Sequence, residues 1–329
     1  MSALAPTLQA FFTDRLLTQR QVSPRTVTAY RDTLRLLLGF AQQRTGTPPC
    51  RLDLADLDAD LVAAFLTHLE RDRGNGVRTR NARLAAIHSL FRYAALRHPE
   101  HAELIARVLA IPAKRYDRTL ICFLSPAEVD ALLAAPDRST WLGRRDHTLL
   151  VLAVQTGLRV SELTALTIAD LHLGEAAHLR CHGKGRKERA TPLTRQTVEV
   201  LRAWMRERAG TATDPIFPTR QGRPLSVDAI QWLLAKHVDT ATGPCPSLCG
   251  KIVSPHVLRH TCAVNLLRAG VDIATIALWL GHSDIRATQT YLHADLAIKE
   301  RALLRTTPPN IAPGRYRPPD PLLAFLEAL

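Results

Sequence analysis

Four short segments of this 329-residue chain carry the residue types that chemistry on a phosphodiester needs. They are residues 156–163, 183–189, 256–261 and 280–283, and Tyr291 follows the last of them. Taken singly, each segment is ordinary, since glycine followed by arginine is a common helix stop and a basic hairpin is usually a solvated turn. Together they supply arginines, a lysine, histidines and a tyrosine hydroxyl, which can clamp a phosphate, move its protons and attack it.

The local patterns around these residues predict that they share one pocket. His256 and Arg259 are three positions apart on a helix that starts at residues 254–255, so both project from one face near its positive end. Arg159 follows a glycine that stops a helix, where a side chain can turn toward the same pocket. Two guanidinium forks there would bind the non-bridging oxygens of a phosphate and stabilise its transition state. Lys184, at the tip of a glycine-containing hairpin, would reach a leaving oxygen.

The order and spacing of these segments resemble those of the tyrosine recombinases, a family that includes phage integrases and the bacterial Xer recombinases. The resemblance extends over nearly the whole chain and is based on the pattern Arg…Lys…His-x-x-Arg…His…Tyr. It implies an enzyme that breaks and rejoins DNA at specific sites, with a helical DNA-binding domain before the catalytic domain. The catalytic residues that the resemblance implies are Arg159, Lys184, His256, Arg259, His282 and Tyr291.

Each of these residues takes the role of its counterpart in the family pattern. Arg159 and Arg259 would clamp the phosphate, and Lys184 would protonate the 5′ leaving oxygen. Tyr291 would attack the phosphate and form a 3′-phosphotyrosyl link. Because that link conserves the energy of the phosphodiester bond, the resemblance implies no ATP, no metal ion and no other cofactor.

The histidines receive different roles. By the same resemblance, His256 would assist proton transfer and His282 would hydrogen-bond the phosphate. His260, next to Arg259, matches the family motif in type, and we expect it to have a structural role.

The net charge of +13 predicts a polyanionic partner. Residues 1–118 hold 18 basic and 11 acidic side chains, a net of +7, and residues 119–329 hold 25 and 19, a net of +6. A cationic surface on both halves favours a two-domain clamp around double-stranded DNA, although a basic surface without a partner has the same composition. The resemblance adds a homotetramer on two DNA duplexes, with sister recombinases as further partners. The side chains that we expect to contact DNA are Arg25, Arg78, Thr79, Arg80, Arg83, Lys114, Arg115, Arg186 and Lys187.

Helical periodicity prevails along the chain and predicts a mainly α protein with a small antiparallel β-hairpin in the catalytic domain. The hairpin would pair strands at 178–182 and 188–192, and the helix that carries Tyr291 would run from residue 283 to about residue 304. The domains that we expect are a helical SAM-like DNA-binding domain (1–111), a linker (112–118), the catalytic domain (119–307) and a proline-rich tail with a short C-terminal helix (308–329).

Two stretches that could be mistaken for metal sites have simpler explanations. Asp53, Asp56, Asp58 and Asp60 alternate with leucines, a pattern typical of a turn and a helix start. The two cysteines in residues 245–249 lack further ligands at suitable spacing, so they are better explained as loop cysteines. No metal site is expected.

Three features bear on the location of the protein. No segment approaches the roughly 18 consecutive apolar residues of a membrane span. Residues 1–6 do not resemble a signal peptide, and the six cysteines are spread without paired spacing, as in proteins of a reducing compartment. We therefore expect a cytoplasmic protein without a membrane partner.

Two other functions share part of this pattern. A type IB topoisomerase would use the same nucleophile and arginines but rotate a strand, and a catalytically silent DNA-binding protein would need only the basic surface. Occupation of every expected catalytic position disfavours the silent DNA-binding protein, and the recombinase is the leading interpretation. For its biological role, the long connection at 242–253 and the proline-rich tail favour integration or transposition of a mobile element over Xer-type resolution of replicon dimers.

The tail ends in one apolar helical stripe, formed by Leu322, Phe325, Leu326 and Leu329. A helix of two turns is not stable alone, so this segment must dock on another surface. Its own catalytic domain and a neighbouring protomer both remain open as that surface.

Overall fold

The computed structural model describes residues 4–116, 121–182, 188–282 and 284–293. The chain divides into two compact units, Met1–Thr119 and Leu120–Leu329, each with its own apolar core. In the described ranges the first unit is helical and the second adds a small antiparallel sheet, which confirms the predicted fold class. No helix in these ranges is long and apolar enough to cross a membrane.

The N-terminal unit follows the predicted helical pattern. Ser23 begins its longest helix by accepting a hydrogen bond from the backbone N–H of Thr26, and Gly46 ends that helix with φ at 71°. The eight-residue helix at Ala102–Leu109 lies outside the predicted elements. The helices are α1 (Leu4–Ala10), a π-helix (Phe11–Gln19), α2 (Pro24–Thr45), α3 (Ala59–Arg71), α4 (Val77–Ala94) and α5 (Ala102–Leu109), with 3-10 turns at Pro49–Arg51, Leu54–Asp56 and Pro99–His101.

The alternating aspartates form a turn and a helix start, as predicted. The carboxylate of Asp53 accepts from the N–H of Leu54, and that of Asp56 accepts from the N–H of Asp53, both at 2.7 Å. Asp58 begins α3 by accepting from the N–H of Leu61 at 2.8 Å. These carboxylates are therefore occupied with orphan backbone donors, while the leucines between them enter the core.

The C-terminal unit surrounds a second apolar core. Its sheet has the order β1-β2-β3 with antiparallel pairing, and the register Arg180↔Ala190 confirms the predicted hairpin strands. The loop at 183–187 lies outside the described residues. The helices are α6 (Pro126–Ala134), α7 (Trp141–Thr156), α8 (Val160–Ala165), α9 (Arg195–Arg208), α10 (Val227–Thr242), α11 (Pro255–Arg268), α12 (Ile273–Leu280) and α13 (Arg286–Gln289), and the strands are β1 (Leu171–His172), β2 (His178–His182) and β3 (Glu188–Pro192).

The region of Tyr291 differs from the prediction of one long helix starting at residue 283. Its described part is the short helix α13 followed by a 3-10 turn at Thr290–His293, and residues 294–304 lie outside the described ranges. The tighter turn accompanies the burial of Tyr291, which joins a small apolar cluster with residues of α11 and α12. Helical periodicity along the sequence does not report such long-range contacts, so the sequence pattern did not predict the turn.

Candidate active site

Two helices that end at glycine meet at the centre of the site. α7 ends at Gly157 and α12 ends at Gly281, with φ of 61° and 64°, in the left-handed region that favours glycine. A Cβ atom on Gly157 would lie 2.8 Å from a methyl carbon of Leu280, so the absence of a side chain permits this close approach. The ends of α7 and α12 therefore lie close together, and one side chain, that of Arg259, can hydrogen-bond to backbone carbonyls at both ends.

The end of α12 anchors three arginines. Three consecutive backbone carbonyl groups each accept a hydrogen bond from a different guanidinium group. The pairs are Trp279 with Arg189 at 3.1 Å, Leu280 with Arg259 at 2.7 Å, and Gly281 with Arg159 at 2.9 Å. The last carbonyls of a helix lack partners within it and carry partial negative charge, so they are suited to hold cations. The arginines are thus positioned before any substrate enters.

Arg259 is the more deeply buried of the two predicted clamp residues. It is 4% exposed, and its second terminal nitrogen donates to the carbonyl of Gly157 at 2.7 Å. Burial, and then the nearby positive charge of Arg159, lowers the pKa of Arg259 to about 10. No carboxylate of the described residues forms an ion pair with it. A buried cation with spare N–H donors and no counter-charge is suited to receive an anion.

Glu162 joins two other arginines at the edge of the clamp. This carboxylate is 5% exposed, forms two hydrogen bonds with the Arg189 guanidinium at 3.0 and 2.8 Å, and accepts one from that of Arg159 at 2.9 Å. Burial alone raises the pKa of Glu162, but the hydrogen bonds, chiefly from Arg189, outweigh burial and lower the pKa to about 2. Neither Glu162 nor Arg189 was expected at the site, although both lie in the segments that carry the pattern.

Replacing Glu162 by glutamine is expected to destabilise the chain, because it removes the buried carboxylate that pairs with two half-buried guanidinium groups. Loss of one partner of a buried ion pair costs about 3–5 kcal/mol, and urea denaturation would measure this loss in the free energy of unfolding. Glu199→Gln is the matched control, since Glu199 pairs with Arg195 at 3.2 Å while 62% exposed. That exposed pair should contribute under about 1 kcal/mol. Equal losses in the two variants would contradict the anchoring role of Glu162.

Tyr291 is held beside two histidines. The tyrosine is 3% exposed, and burial raises the pKa of its hydroxyl. Its Oη atom lies 3.1 Å from Nδ1 of His260, and its ring stacks on the ring of His282 with the centroids 6.3 Å apart. Nδ1 of His282 in turn lies 2.7 Å from the hydroxyl of the buried Thr288. The hydroxyl of Tyr291 therefore lies within hydrogen-bonding distance of a nitrogen of His260, although the Tyr291 side chain is buried.

His256 lies at the exposed end of a row of aromatic rings at the site. Its side chain is exposed, and its ring stacks on that of His260 at a centroid distance of 6.3 Å. His260 thus lies between His256 and Tyr291 along this row of rings. The structure brings together Arg159, Arg259, His282 and Tyr291, adds His260 to them, and does not describe Lys184, which lies in the loop outside the described residues.

The predicted DNA contacts of the N-terminal unit fall into two groups. Arg25 near the start of α2, Arg78 and Thr79 at the start of α4, and Arg115 are exposed. The guanidinium of Arg78 also lies 5.0 Å from the ring of Tyr116. Exposed arginines at helix starts are free to meet a phosphate backbone.

Two other members of that set, Arg80 and Lys114, have partners within the protein. Arg80 is 6% exposed and donates to the carbonyl of Pro112 at 3.0 Å. Lys114 pairs with Glu70 at 2.7 Å, while Arg83 is half-buried, which lowers its pKa. These contacts tie the start of the predicted linker to α3 and α4. Arg186 and Lys187 lie outside the described residues.

Comparison with known proteins agrees with this geometry. Residues 122–297, more than half of the chain, match the model of the phage integrase family, and residues 10–98 match that of the phage integrase N-terminal SAM-like domain. A protein of Sinorhizobium fredii named as the integrase/recombinase y4rC is 56% identical over 328 residues, which cover 100% of this chain and 99% of that relative. Tyrosine recombinase XerD of Pseudomonas putida is 34% identical over 300 residues, which cover 89% and 94% of the two chains.

Solved structures show the same fold. XerH site-specific recombinase bound to its difH substrate has a TM-score of 0.68 at 22% identity, with 85% of this chain and 79% of that one covered. The Tn1549 transposon integrase in complex with transposon right end DNA has a TM-score of 0.69 at 18% identity, with 91% and 98% covered. The resemblance read from the sequence is confirmed: the chain belongs to the phage integrase family of tyrosine recombinases, which cut and rejoin DNA through a tyrosine.

Proposed function

We propose that this recombinase integrates or transposes a mobile DNA element, with Tyr291 as its nucleophile. The observation that carries the assignment of the nucleophile is the position of the Tyr291 hydroxyl, 3.1 Å from Nδ1 of His260 and next to guanidinium groups anchored on α12. The mobile-element role is supported by the integrase name of the relative that matches the whole chain. The fold of a transposon integrase is consistent with it.

The reaction follows from the groups at the site. Tyr291 attacks a DNA phosphate, so that a 3′-phosphotyrosyl bond forms while the bond to the 5′ oxygen breaks. N–H groups of Arg159 and Arg259 that do not bind carbonyls donate to the non-bridging oxygens, whose negative charge grows in the transition state. A 5′-hydroxyl from the partner duplex then attacks the phosphotyrosine and restores the DNA backbone.

A nicked suicide DNA substrate tests this assignment. If the chain is a recombinase acting through Tyr291, it accumulates a covalent adduct at that residue and yields exchanged strands when a partner duplex is added. Relaxation of supercoiled DNA without exchange would indicate topoisomerase chemistry, and binding without an adduct would indicate a silent DNA-binding protein. Either of these results overturns the proposal.

Xer-type resolution of replicon dimers is the second candidate role, because XerD of P. putida is 34% identical over most of the chain. The two roles differ in their DNA substrates. If the chain serves a mobile element, a test plasmid that carries the two ends of the DNA element around its gene should recombine at those ends in cells. Conversion of plasmid dimers to monomers at a single site, without recombination of element ends, would favour dimer resolution.

The exposed arginines of the N-terminal unit are expected to set the salt dependence of DNA binding. Replacing Arg25, Arg78 and Arg115 by alanine should reduce the slope of log K against log salt by about 0.9 for each DNA phosphate that is no longer neutralised. Arg31→Ala is the matched control, because this exposed arginine pairs with Asp32 at 3.0 Å and is not among the predicted contacts. If the control and the triple variant have the same slope, these arginines do not touch DNA phosphates.

The tail is expected to couple protomers into a tetramer. Residues 308–329 lie outside the described ranges, but the described part of the catalytic unit has an apolar groove of about 760 Å³ between α6, α7, α9 and α11. The stripe at 322–329 is of a suitable size to fill such a groove on a neighbouring protomer. This docking in trans is part of the proposal.

Truncation after Thr307 tests the coupling. The shortened chain should bind one DNA site normally but lose cooperative assembly on paired sites and coordinated strand exchange, measured by gel shift and by product analysis. The full chain with Leu322 and Phe325 both replaced by serine should behave in the same way. An unfolded monomer, or unchanged assembly, would contradict docking in trans.

A further inference from the structure

The hydroxyl of Tyr291 has one hydrogen-bond partner within the described ranges, and that partner is His260. Oη of Tyr291 and Nδ1 of His260 are 3.1 Å apart. The centroids of the two rings are 5.5 Å apart and the ring planes are inclined by 60°. The edge of the imidazole that carries Nδ1 therefore faces the hydroxyl. This contact joins the attacking oxygen to a group that can hold a proton.

The other groups near Tyr291 are poorly placed to accept its proton. Arg159 and Arg259 are donors only. His282 stacks on the tyrosine ring at an interplanar angle of 16°, and its Nδ1 is engaged by Thr288 at 2.7 Å. The exposed His256 stacks on the ring of His260 and has no hydrogen bond to Tyr291 among the described residues. Among the described residues, Nδ1 of His260 is therefore the nitrogen placed to accept this proton, in the tautomer that carries the imidazole's own proton on Nε2.

We propose that Nδ1 of His260 takes the hydroxyl proton of Tyr291 as the tyrosine oxygen attacks the DNA phosphate. The inference rests on the proposed function, in which Tyr291 is the nucleophile. The O–H bond breaks as the bond from the tyrosine oxygen to phosphorus forms, and the bond from phosphorus to the 5′ oxygen breaks. The tyrosine proton then resides on His260, and the 5′ oxygen receives a different proton, for which Lys184 is the predicted donor. In the reverse step His260 returns its proton to the departing tyrosine.

The charged groups around His260 are consistent with its taking up a proton in the forward step and returning it in the reverse step. Burial, then His256 and Arg259 on the same helix, lower the pKa of His260 to about 4, so the ring is neutral at pH 7 and its Nδ1 can accept. The other titratable groups that face it are Tyr291 and His282. A DNA phosphate placed against Arg259 would add negative charge, which stabilises the protonated ring. The imidazole is thus a weaker base before the substrate binds than after it.

His260→Asn tests the base directly, because an amide oxygen near the position of Nδ1 can accept a hydrogen bond but does not take up a proton at neutral pH. Single-turnover adduct formation on nicked suicide DNA should fall about 10²- to 10⁴-fold at pH 7. Its rate should then rise about tenfold for each pH unit between 7 and 9, because hydroxide must remove the proton. The unsubstituted chain should show no such rise. A structural role would lower the rate without creating this dependence.

His256→Asn is the matched control, one helical turn earlier on α11. It should lower the adduct rate without making the rate depend on hydroxide. Incorporating 3,5-difluorotyrosine at position 291 provides a second readout, since a more acidic phenol needs less help from a base. It should restore much of the lost rate in His260→Asn and little in His256→Asn.

The outcomes separate this inference from the proposed function. If the unsubstituted chain forms no adduct, the function itself fails. If the unsubstituted chain forms adduct but a folded His260→Asn or His260→Gln keeps the normal rate and pH profile, His260 is not the base. Hydroxide dependence that appears in His256→Asn instead would assign the base to His256 and overturn the proposal. DNA binding and thermal unfolding of each variant establish that it is folded.

Discussion

Replacing Tyr291 by phenylalanine is expected to abolish covalent linkage to DNA while leaving site binding intact. The change removes one oxygen, and the ring can still pack in the apolar cluster with α11 and α12. Loss of a nucleophile typically lowers turnover on the order of 10⁴-fold or more. Adduct formation on a nicked suicide substrate and a gel shift on the same DNA measure the two properties separately.

A residual adduct in Tyr291→Phe would show that a different residue carries the chemistry. Two alternative candidates are Tyr116, which is 47% exposed, and Tyr316, which lies outside the described residues. Peptide mapping of the adduct would identify the residue. Such a result would contradict the assignment of the nucleophile from the sequence pattern.

Loss of Arg259 is expected to have the second-largest effect, since we propose that this buried side chain binds the phosphate. Arg259→Ala should slow both cleavage and religation about 10²- to 10³-fold, as expected when one charge-assisted donor to a developing oxyanion is removed. It also leaves the carbonyls of Gly157 and Leu280 without a partner, so the free energy of unfolding should be measured in parallel. Arg259→Lys keeps the charge but loses the fork and should recover little of the rate.

A substrate with sulfur in place of the 5′ bridging oxygen separates the clamp from the leaving-group acid. Sulfur leaves without needing a proton, so Lys184→Ala should regain much of its cleavage on this substrate. Arg259→Ala should not, because its defect lies in charge stabilisation. Equal rescue of both variants would remove the acid role from Lys184.

The sequence by itself was sufficient for the family, the helical class and most of the local elements, although it did not predict the helices α5 and α10 or the 3-10 turn that carries Tyr291. Its motifs can be recognised because the order and spacing of the catalytic residue types match the pattern of the family. Caps such as Ser23 and Asp58 and stops such as Gly157 act within a few residues, where local backbone hydrogen bonding decides the outcome. The strands of the hairpin at 178–182 and 188–192 followed from the same short-range rules.

Only the tertiary structure decided which side chains meet. Sequence spacing puts His256 and His260 one turn apart on α11, and only the packing of the 3-10 turn at Thr290–His293 sets His260 against the tyrosine. It also turned Arg80 inward to the carbonyl of Pro112, away from the role predicted from its charge. The three carbonyls at the end of α12 are invisible in the sequence because every residue has one, and their value as anchors arises from where the helix stops. Contacts between distant segments depend on packing of the whole unit, which residue type and local spacing alone do not predict.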